Sequence, residues 1–121
     1  MAPTEPRLVL GLEEEYLLVD PLTRELVRSP DPGFMPACKA ALGEQVTFEL
    51  LQSQVEVGTP VCLDIAQARR ELAGLRHAVA ALARDHGMAL MAASTHPFAS
   101  WDEQRRTDLE RYRAITEDYQ V

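Results

Sequence analysis

Three consecutive glutamates, Glu13, Glu14 and Glu15, interrupt an otherwise apolar run, RLVLGLEEEYLLV, over residues 7–19. Side chains alternate along a strand, so Glu13 and Glu15 would share one face about 7 Å apart while Glu14 points to the other. Two desolvated carboxylates on one face need a cation or hydrogen-bond donors beside them, and hard oxygen ligands at this spacing suit Mg²⁺ with bound phosphates. An exposed edge strand with solvated glutamates is the plainer alternative for the triplet alone.

A second acidic pair, Glu49 and Glu56, lies in ELLQSQVEVGTP. If both segments belong to one sheet, Glu13, Glu15, Glu49 and Glu56 could form a single site for two or three divalent ions that hold a nucleotide. Strict alternation along one continuous strand would instead put Glu49 opposite Glu56, on a solvated face. Spacing alone leaves both interpretations open.

Few other residues indicate chemistry. His96 precedes a proline at the end of a predicted strand, where an imidazole could donate to a substrate carboxylate or phosphate; a structural role is equally open. The sequence Glu110-Arg111-Tyr112 could offer a cation and a phenol to an anion, although a charged helix face with a core tyrosine is the favoured interpretation. The sequence contains no G-x-S-x-G, P-loop or G-x-G-x-x-G motif, so any nucleotide would be held by metal and carboxylates.

Periodicity predicts the elements that must position these residues. Residues 7–19 favour a strand, with a turn over Asp20-Pro21-Leu22-Thr23 and a short returning arm over residues 25–28. One face of the strand over residues 7–19 would comprise the alternate residues Leu8, Leu10, Leu12, Tyr16 and Leu18. Pro36 suits the first turn of a short helix that ends at Gly43. Residues 44–57 are ambiguous, and we favour a strand with an irregularity.

The second half of the chain gives the clearest helix signal. Asp64 can cap a helix with Gln67 three residues later, an apolar stripe continues to His86, and Gly87 is the expected terminator. The apolar residues 88–94 predict a buried strand. The S-x-x-E pattern of residues 100–103 then predicts a helix whose stripe comprises Trp101, Arg105, Tyr112, Ile115 and Tyr119.

Composition narrows the class of protein. The 121 residues carry 12 basic and 19 acidic side chains, a net charge of −7, which makes nucleic acid and anionic lipid poor partners. Hydrophobic residues make up 46%, enough for one folded domain with a core. No apolar run approaches the roughly 20 residues of a membrane helix, and the first residues do not resemble a signal peptide, so we expect a cytoplasmic protein. Cys38 and Cys62 have no metal or disulfide spacing and are predicted to be small buried hydrophobes.

Four motifs together, GLEEEYLLVDP, ELLQSQVEVGTPVC, STHPFASW and ERY, resemble the carboxylate–amine ligases of the type 2 glutamate–cysteine ligase family. The resemblance extends from about residue 7 to residue 121. It implies a glutamine-synthetase-like fold, in which an antiparallel sheet with flanking helices forms a bowl lined by glutamates that bind Mg²⁺ and ATP phosphates. Glu13, Glu15 and Glu56 would then bind metal and nucleotide, Glu49 would be a further metal ligand, and His96 would lie at the substrate end.

The implied reaction is ATP-dependent amide formation through an acyl phosphate, with a glutamate-like carboxylate and a cysteine-like amine as substrates. Members of the family continue well past this length, with an H-V-H-V-G segment soon after the position of Val121. Residues 1–121 are therefore expected to form the incomplete N-terminal portion of one catalytic domain, inactive alone, whose exposed sheet face would favour homo-oligomers. Two alternatives are a non-catalytic α+β domain that binds a metabolite or partner, and a carboxylate-only metal hydrolase.

Overall fold

A computed structural model describes residues 8–119 and shows an α+β fold built on a four-stranded antiparallel sheet. The strands lie in the order β2-β3-β1-β4, so β1 is central and pairs with β3 on one side and β4 on the other. The predicted fold class is confirmed at this level. The bounds are β1 Glu13–Val19, α1 Phe34–Leu42, β2 Val46–Phe48, β3 Gln54–Gly58, α2 Ile65–Asp85, β4 Ala89–Met91 and α3 Glu110–Tyr119, with short 3₁₀ helices at Gly43–Gln45 and Trp101–Glu103.

The first strand is shorter than predicted. Regular pairing begins at Glu13, and before it Leu10 forms an isolated bridge to Cys62; Arg7 lies outside the described residues. Only the inner part of the predicted apolar face is buried, because Tyr16 and Leu18 face the core while Leu8 is exposed. The predicted returning arm is confirmed as one bridge between Val19 and Leu26.

Helices α1 and α2 cover one face of the sheet and enclose the core. This face carries the even-numbered side chains of β1, because Tyr16 and Leu18 belong to the buried cluster. The residues of the helices in that cluster are Phe34, Cys38, Leu75, Val79 and Ala83, and those of β2 and β3 are Val46, Val55 and Val57. Cys38 and Cys62 are both free and buried, as predicted. The odd-numbered positions of β1, Glu13 and Glu15 among them, therefore lie on the face away from α1 and α2.

The predicted cap and terminator of the long helix are confirmed. The Asp64 carboxylate accepts a hydrogen bond from the Gln67 backbone N–H at 2.7 Å, and the Gln67 side chain accepts from the Leu63 N–H at 2.9 Å. Gly87 follows the helix with φ 73°, a left-handed conformation that glycine adopts without strain. None of the helices within residues 8–119 is long and apolar enough to span a membrane.

The ambiguous segment of residues 44–57 forms two strands rather than one. β2 ends at Phe48, residues 49–53 form the connection, and β3 begins at Gln54. The irregularity predicted there is thus a complete break, which frees Glu49 from the alternation that would have placed it opposite Glu56.

The prediction of a continuous C-terminal helix from Ser100 is wrong. Ser100 donates its hydroxyl to Asp102 instead of capping a helix, and only a 3₁₀ turn forms there. Residues 104–109 are not helical, because their backbone pairs with the connection after β2: the Gln52 N–H donates to the Arg105 carbonyl, and Leu51 bridges Arg106. A helix forms only from Glu110 onward. The stripe residues Trp101 and Arg105 therefore lie outside it.

Candidate metal and nucleotide site

Three glutamates from different parts of the chain meet on the sheet face opposite the helices. Carboxylate oxygens of Glu15, Glu49 and Glu56 all lie within 4.8 Å of one another. Glu15 and Glu56 are direct cross-strand partners in β1 and β3, a position that brings side chains on one face about 5 Å apart. Glu49 enters from the connection after β2. Of the two placements of Glu49 that the sequence left open, the structure thus has the one in which the two acidic segments meet.

A threonine extends this row of side chains. Thr47 of β2 is the cross-strand partner of Glu56, and its hydroxyl donates to Glu56 Oε1 at 3.0 Å. The Glu49 carboxylate accepts the backbone N–H of Leu50 at 3.1 Å. Each bond holds one carboxylate oxygen and leaves the other oxygen of that group for a ligand. The position of Thr47 two residues before Glu49 is the signal in the sequence that points to it.

The negative charge of the group is only partly compensated by the protein. Burial raises the pKa of the Glu49 carboxyl, and repulsion from Glu15 and Glu56 raises it further. The Leu50 N–H and the attraction of Arg111 oppose this change without cancelling it. Since a divalent cation would relieve the same repulsion, the charge pattern suits a cation between the three carboxylates.

Glu13 lies on the same face of β1 but outside this group of three. It is paired with Gly58, two positions along the ladder from the Glu15–Glu56 pair, hence about 7 Å away. Gly58 has only a hydrogen atom as its side chain, so the space opposite Glu13 stays open. A cavity of about 320 Å³ at this end of β1 is lined by Glu14, Glu15, Tyr16, Ala92, Ala93 and Ser94, so it borders residues from both faces of the strand.

The middle glutamate of the triplet has a different environment. Glu14 points toward α2, where Arg76 binds its carboxylate through Nε at 3.1 Å and through Nη2, and the Tyr16 hydroxyl also donates to it. Burial would raise the pKa of Glu14, but the bonds from Arg76 and Tyr16 outweigh burial and lower it. Glu14 therefore lies on the face opposite Glu15, as the alternation along β1 predicted, and its bonds there give it a structural role. Nothing in the spacing of the sequence identified Arg76 as its partner.

His96 lies in the loop after β4 and is nearly buried. Its Nδ1 accepts backbone N–H groups of Phe98 and Ala99, at 3.4 and 3.1 Å, so Nε2 carries the proton and donates to the Arg24 carbonyl at 2.8 Å. Both ring nitrogens are engaged within the chain. This geometry favours the structural role that the sequence left equally open, and a substrate contact through His96 would require one of these bonds to break.

The Glu110-Arg111-Tyr112 sequence docks beside the acidic group. Tyr112 is buried, and its hydroxyl donates to the Phe48 carbonyl at 2.9 Å; Arg111 donates to the same carbonyl at 3.1 Å. The guanidinium of Arg111 lies 4.3 Å from the centre of the Tyr112 ring. The favoured interpretation, a core tyrosine on a charged helix, matches this packing.

Comparison with known proteins places this chain in a family. The model of glutamate–cysteine ligase family 2 matches residues 9–121, nearly the whole chain. The chain belongs to this family. The resemblance inferred from the four motifs is thereby confirmed.

Curated relatives agree with the family match. A protein of Paracoccus denitrificans is 49% identical over 114 residues, which are 94% of this chain and 30% of that protein. A Roseiflexus protein (strain RS-1) is 49% identical over 111 residues, 92% of this chain and 29% of its own length, and one from Solibacter usitatus is 41% identical over 121 residues, 100% and 31% respectively. All three carry the provisional name glutamate–cysteine ligase 2. The chain spans about three-tenths of the length of these relatives.

Proposed function

We propose that this chain is the N-terminal part of the catalytic domain of an ATP-dependent carboxylate–amine ligase, with a cytoplasmic location. The convergence of Glu15, Glu49 and Glu56 on one sheet face is the observation that supports the proposal most directly. Their donor set, three carboxylates without a thiolate or imidazole, suits Mg²⁺ rather than zinc or copper. Glu13, on the same face, is proposed as a further ligand on the nucleotide side.

The proposed reaction has two steps. An oxygen of a glutamate-like carboxylate takes the γ-phosphoryl group of ATP, the bond to the β-phosphate oxygen breaks, and ADP leaves. The nitrogen of a cysteine-like amine then attacks the acyl carbon, the bond to phosphate breaks, and an amide, inorganic phosphate and the amine proton are released. Bound Mg²⁺ would neutralise negative charge on the phosphates.

The chain's own residues supply position and charge in this scheme. Thr47 fixes one oxygen of Glu56, the Leu50 N–H fixes one oxygen of Glu49, and the β1–β3 ladder fixes Glu15 against Glu56. No protein nucleophile is required, because the attacking atoms belong to the substrates. The remaining residues that would contact ATP and both substrates are proposed to lie in the rest of a longer polypeptide, so residues 1–121 alone would be inactive.

An ADP-release assay on the polypeptide as its source cell makes it tests the proposal. An antibody against this segment isolates the protein, its intact mass is measured, and ADP release is followed with glutamate, with an amine panel that includes cysteine, and with both. We expect a species longer than 121 residues that releases ADP appreciably only when both co-substrates are present. Recombinant Glu15→Gln and Glu56→Gln variants should lose this activity, whereas Glu117→Gln, at an exposed position of α3, should retain it.

Other outcomes would contradict the proposal in recognisable ways. Phosphate release without an amine would indicate a metal hydrolase. A native species of 121 residues without any turnover would favour a non-catalytic binding domain. Unchanged turnover in both Glu15→Gln and Glu56→Gln would remove the carboxylate group from the mechanism.

A further inference from the structure

Three successive backbone carbonyls beside the acidic group are held by one distant segment. The Phe48 carbonyl accepts from the Tyr112 hydroxyl at 2.9 Å and from Arg111. The Glu49 carbonyl accepts from the Thr107 hydroxyl at 2.5 Å, and the Leu50 carbonyl accepts from the Thr107 backbone N–H at 2.8 Å. Residues 107–112 thus supply hydrogen-bond donors to the backbone carbonyls of residues 48–50, across sequence separations of 58 to 64 positions for the side-chain donors.

Glu49 needs this support more than the other two glutamates of the group. Glu15 and Glu56 lie inside β1 and β3, where ladder hydrogen bonds on the neighbouring strands fix their backbone. β2 ends at Phe48, so Glu49 lies just past the last residue that its own strand holds in place. A ligand on a connection is placed only as accurately as the contacts of that connection allow.

We infer that Thr107 is a positioning residue for the Glu49 carboxylate: its hydroxyl and N–H fix the backbone of residues 49–50 and so keep Glu49 against Glu15 and Glu56. The inference rests on the proposed function, because it presumes that the three carboxylates bind a cation. Tyr112 acts in the same direction one residue earlier, through the Phe48 carbonyl. The segment of residues 107–112 is accordingly part of the site although it contributes no carboxylate to the group.

Mn²⁺ binding, measured by electron paramagnetic resonance of the free ion, tests this inference on the full polypeptide without ATP or substrates. Thr107→Val keeps the shape of the side chain and removes the donor, and we expect it to weaken Mn²⁺ affinity about tenfold, a typical cost of losing a group that orients a ligand. Thr107→Ser keeps the hydroxyl and should bind almost as the unchanged protein does. Thr116→Val is the matched control, since the Thr116 hydroxyl donates within α3, to the Arg113 carbonyl.

A double variant separates positioning from general damage. In a Glu49→Gln background the Thr107→Val change should have little additional effect, because its route to the ion is already lost. An equal loss in both backgrounds, or Mn²⁺ affinity unchanged by Thr107→Val, would overturn the inference. If Thr107→Val does not fold, Tyr112→Phe replaces it under the same criteria. Mn²⁺ binding that is insensitive to Glu15→Gln would instead overturn the proposed cation site.

Discussion

The two faces of β1 give neighbouring glutamates opposite electrostatic surroundings. On the helix side, Glu14 has a guanidinium and a phenol as partners, and its pKa is lowered. On the face away from α1 and α2, which we call the open face, Glu15 lies with Glu49 and Glu56, and the pKa of Glu49 is raised by burial and by the other two carboxylates. One face therefore stabilises an ionised carboxylate with groups of the protein, and the other leaves charge for something else to balance.

This difference distinguishes a structural acid from a binding acid. A fold that holds a partly buried carboxylate for structural reasons supplies its donors, as α2 supplies Arg76 to Glu14. Three carboxylates kept close together with few donors reduce the stability of the ligand-free protein, and such a cost is typical of functional sites.

The largest expected effect concerns the open face. Glu15→Gln and Glu56→Gln each remove one carboxylate from a group of three, and we expect Mg²⁺ affinity to fall by about tenfold or more. Isothermal titration calorimetry with Mg²⁺ alone measures this change. Glu14→Gln, one residue away on the other face, should leave the affinity nearly unchanged. Equal losses in all three variants would mean that the faces do not have separate roles.

The next effect concerns the stability of the ligand-free protein. Glu14→Gln should lower the free energy of unfolding by about 1 kcal/mol at pH 7, a modest value because Arg76 is half exposed and its ion pair is screened. A lowered pKa means that this stability is present above the ordinary value of 4.5 and is lost as the pH falls through the lower pKa of folded Glu14. Urea unfolding at several pH values gives the profile.

Glu15→Gln is the matched control for that measurement. The same change of charge on the open face should not lower the free energy of unfolding at pH 7. If Glu15→Gln destabilised the ligand-free protein as much as Glu14→Gln does, the contrast between the two faces would be lost.

A smaller effect isolates the phenol. Tyr16→Phe removes the hydroxyl that donates to Glu14 but leaves Arg76 in place, and we expect a loss of about 0.5–1 kcal/mol in the free energy of unfolding. In a Glu14→Gln background the loss should differ, because the two side chains share one network. Strict additivity of the two changes in urea unfolding would show that the phenol acts independently of Glu14.

Much of this arrangement could be predicted from the sequence, because it depends on local periodicity. Alternation along β1 placed Glu14 and Glu15 on opposite faces, and the cap at Asp64 and the glycine at position 87 set the ends of α2. That the two acidic segments could meet also followed from the sequence, since each was assigned to a strand, but spacing alone left the opposite placement of Glu49 equally open.

Features that depend on distant pairing could not be predicted. The break after Phe48 and the non-helical residues 104–109 stabilise each other through hydrogen bonds across more than 50 positions, and no local pattern encodes that pairing. The S-x-x-E pattern at Ser100 therefore suggested a longer helix than the structure has. The contact of Thr107 with Glu49 is invisible to sequence spacing for the same reason.

The smallest effect has the opposite sign and tests the open face most sharply. Glu49→Gln keeps an acceptor for the Leu50 N–H but removes one of three repelling charges, so the ligand-free protein should gain up to about 0.5 kcal/mol at pH 7. The raised pKa of Glu49 means that its penalty is absent below the ordinary value of 4.5 and appears as the pH rises through the higher folded value, so the gain should vanish in acid. With saturating Mg²⁺ the unchanged protein should instead unfold at a higher temperature than the Glu49→Gln variant, because the ion stabilises the unchanged protein more. A destabilised Glu49→Gln variant without Mg²⁺ would mean that the protein already balances the charge of the open face.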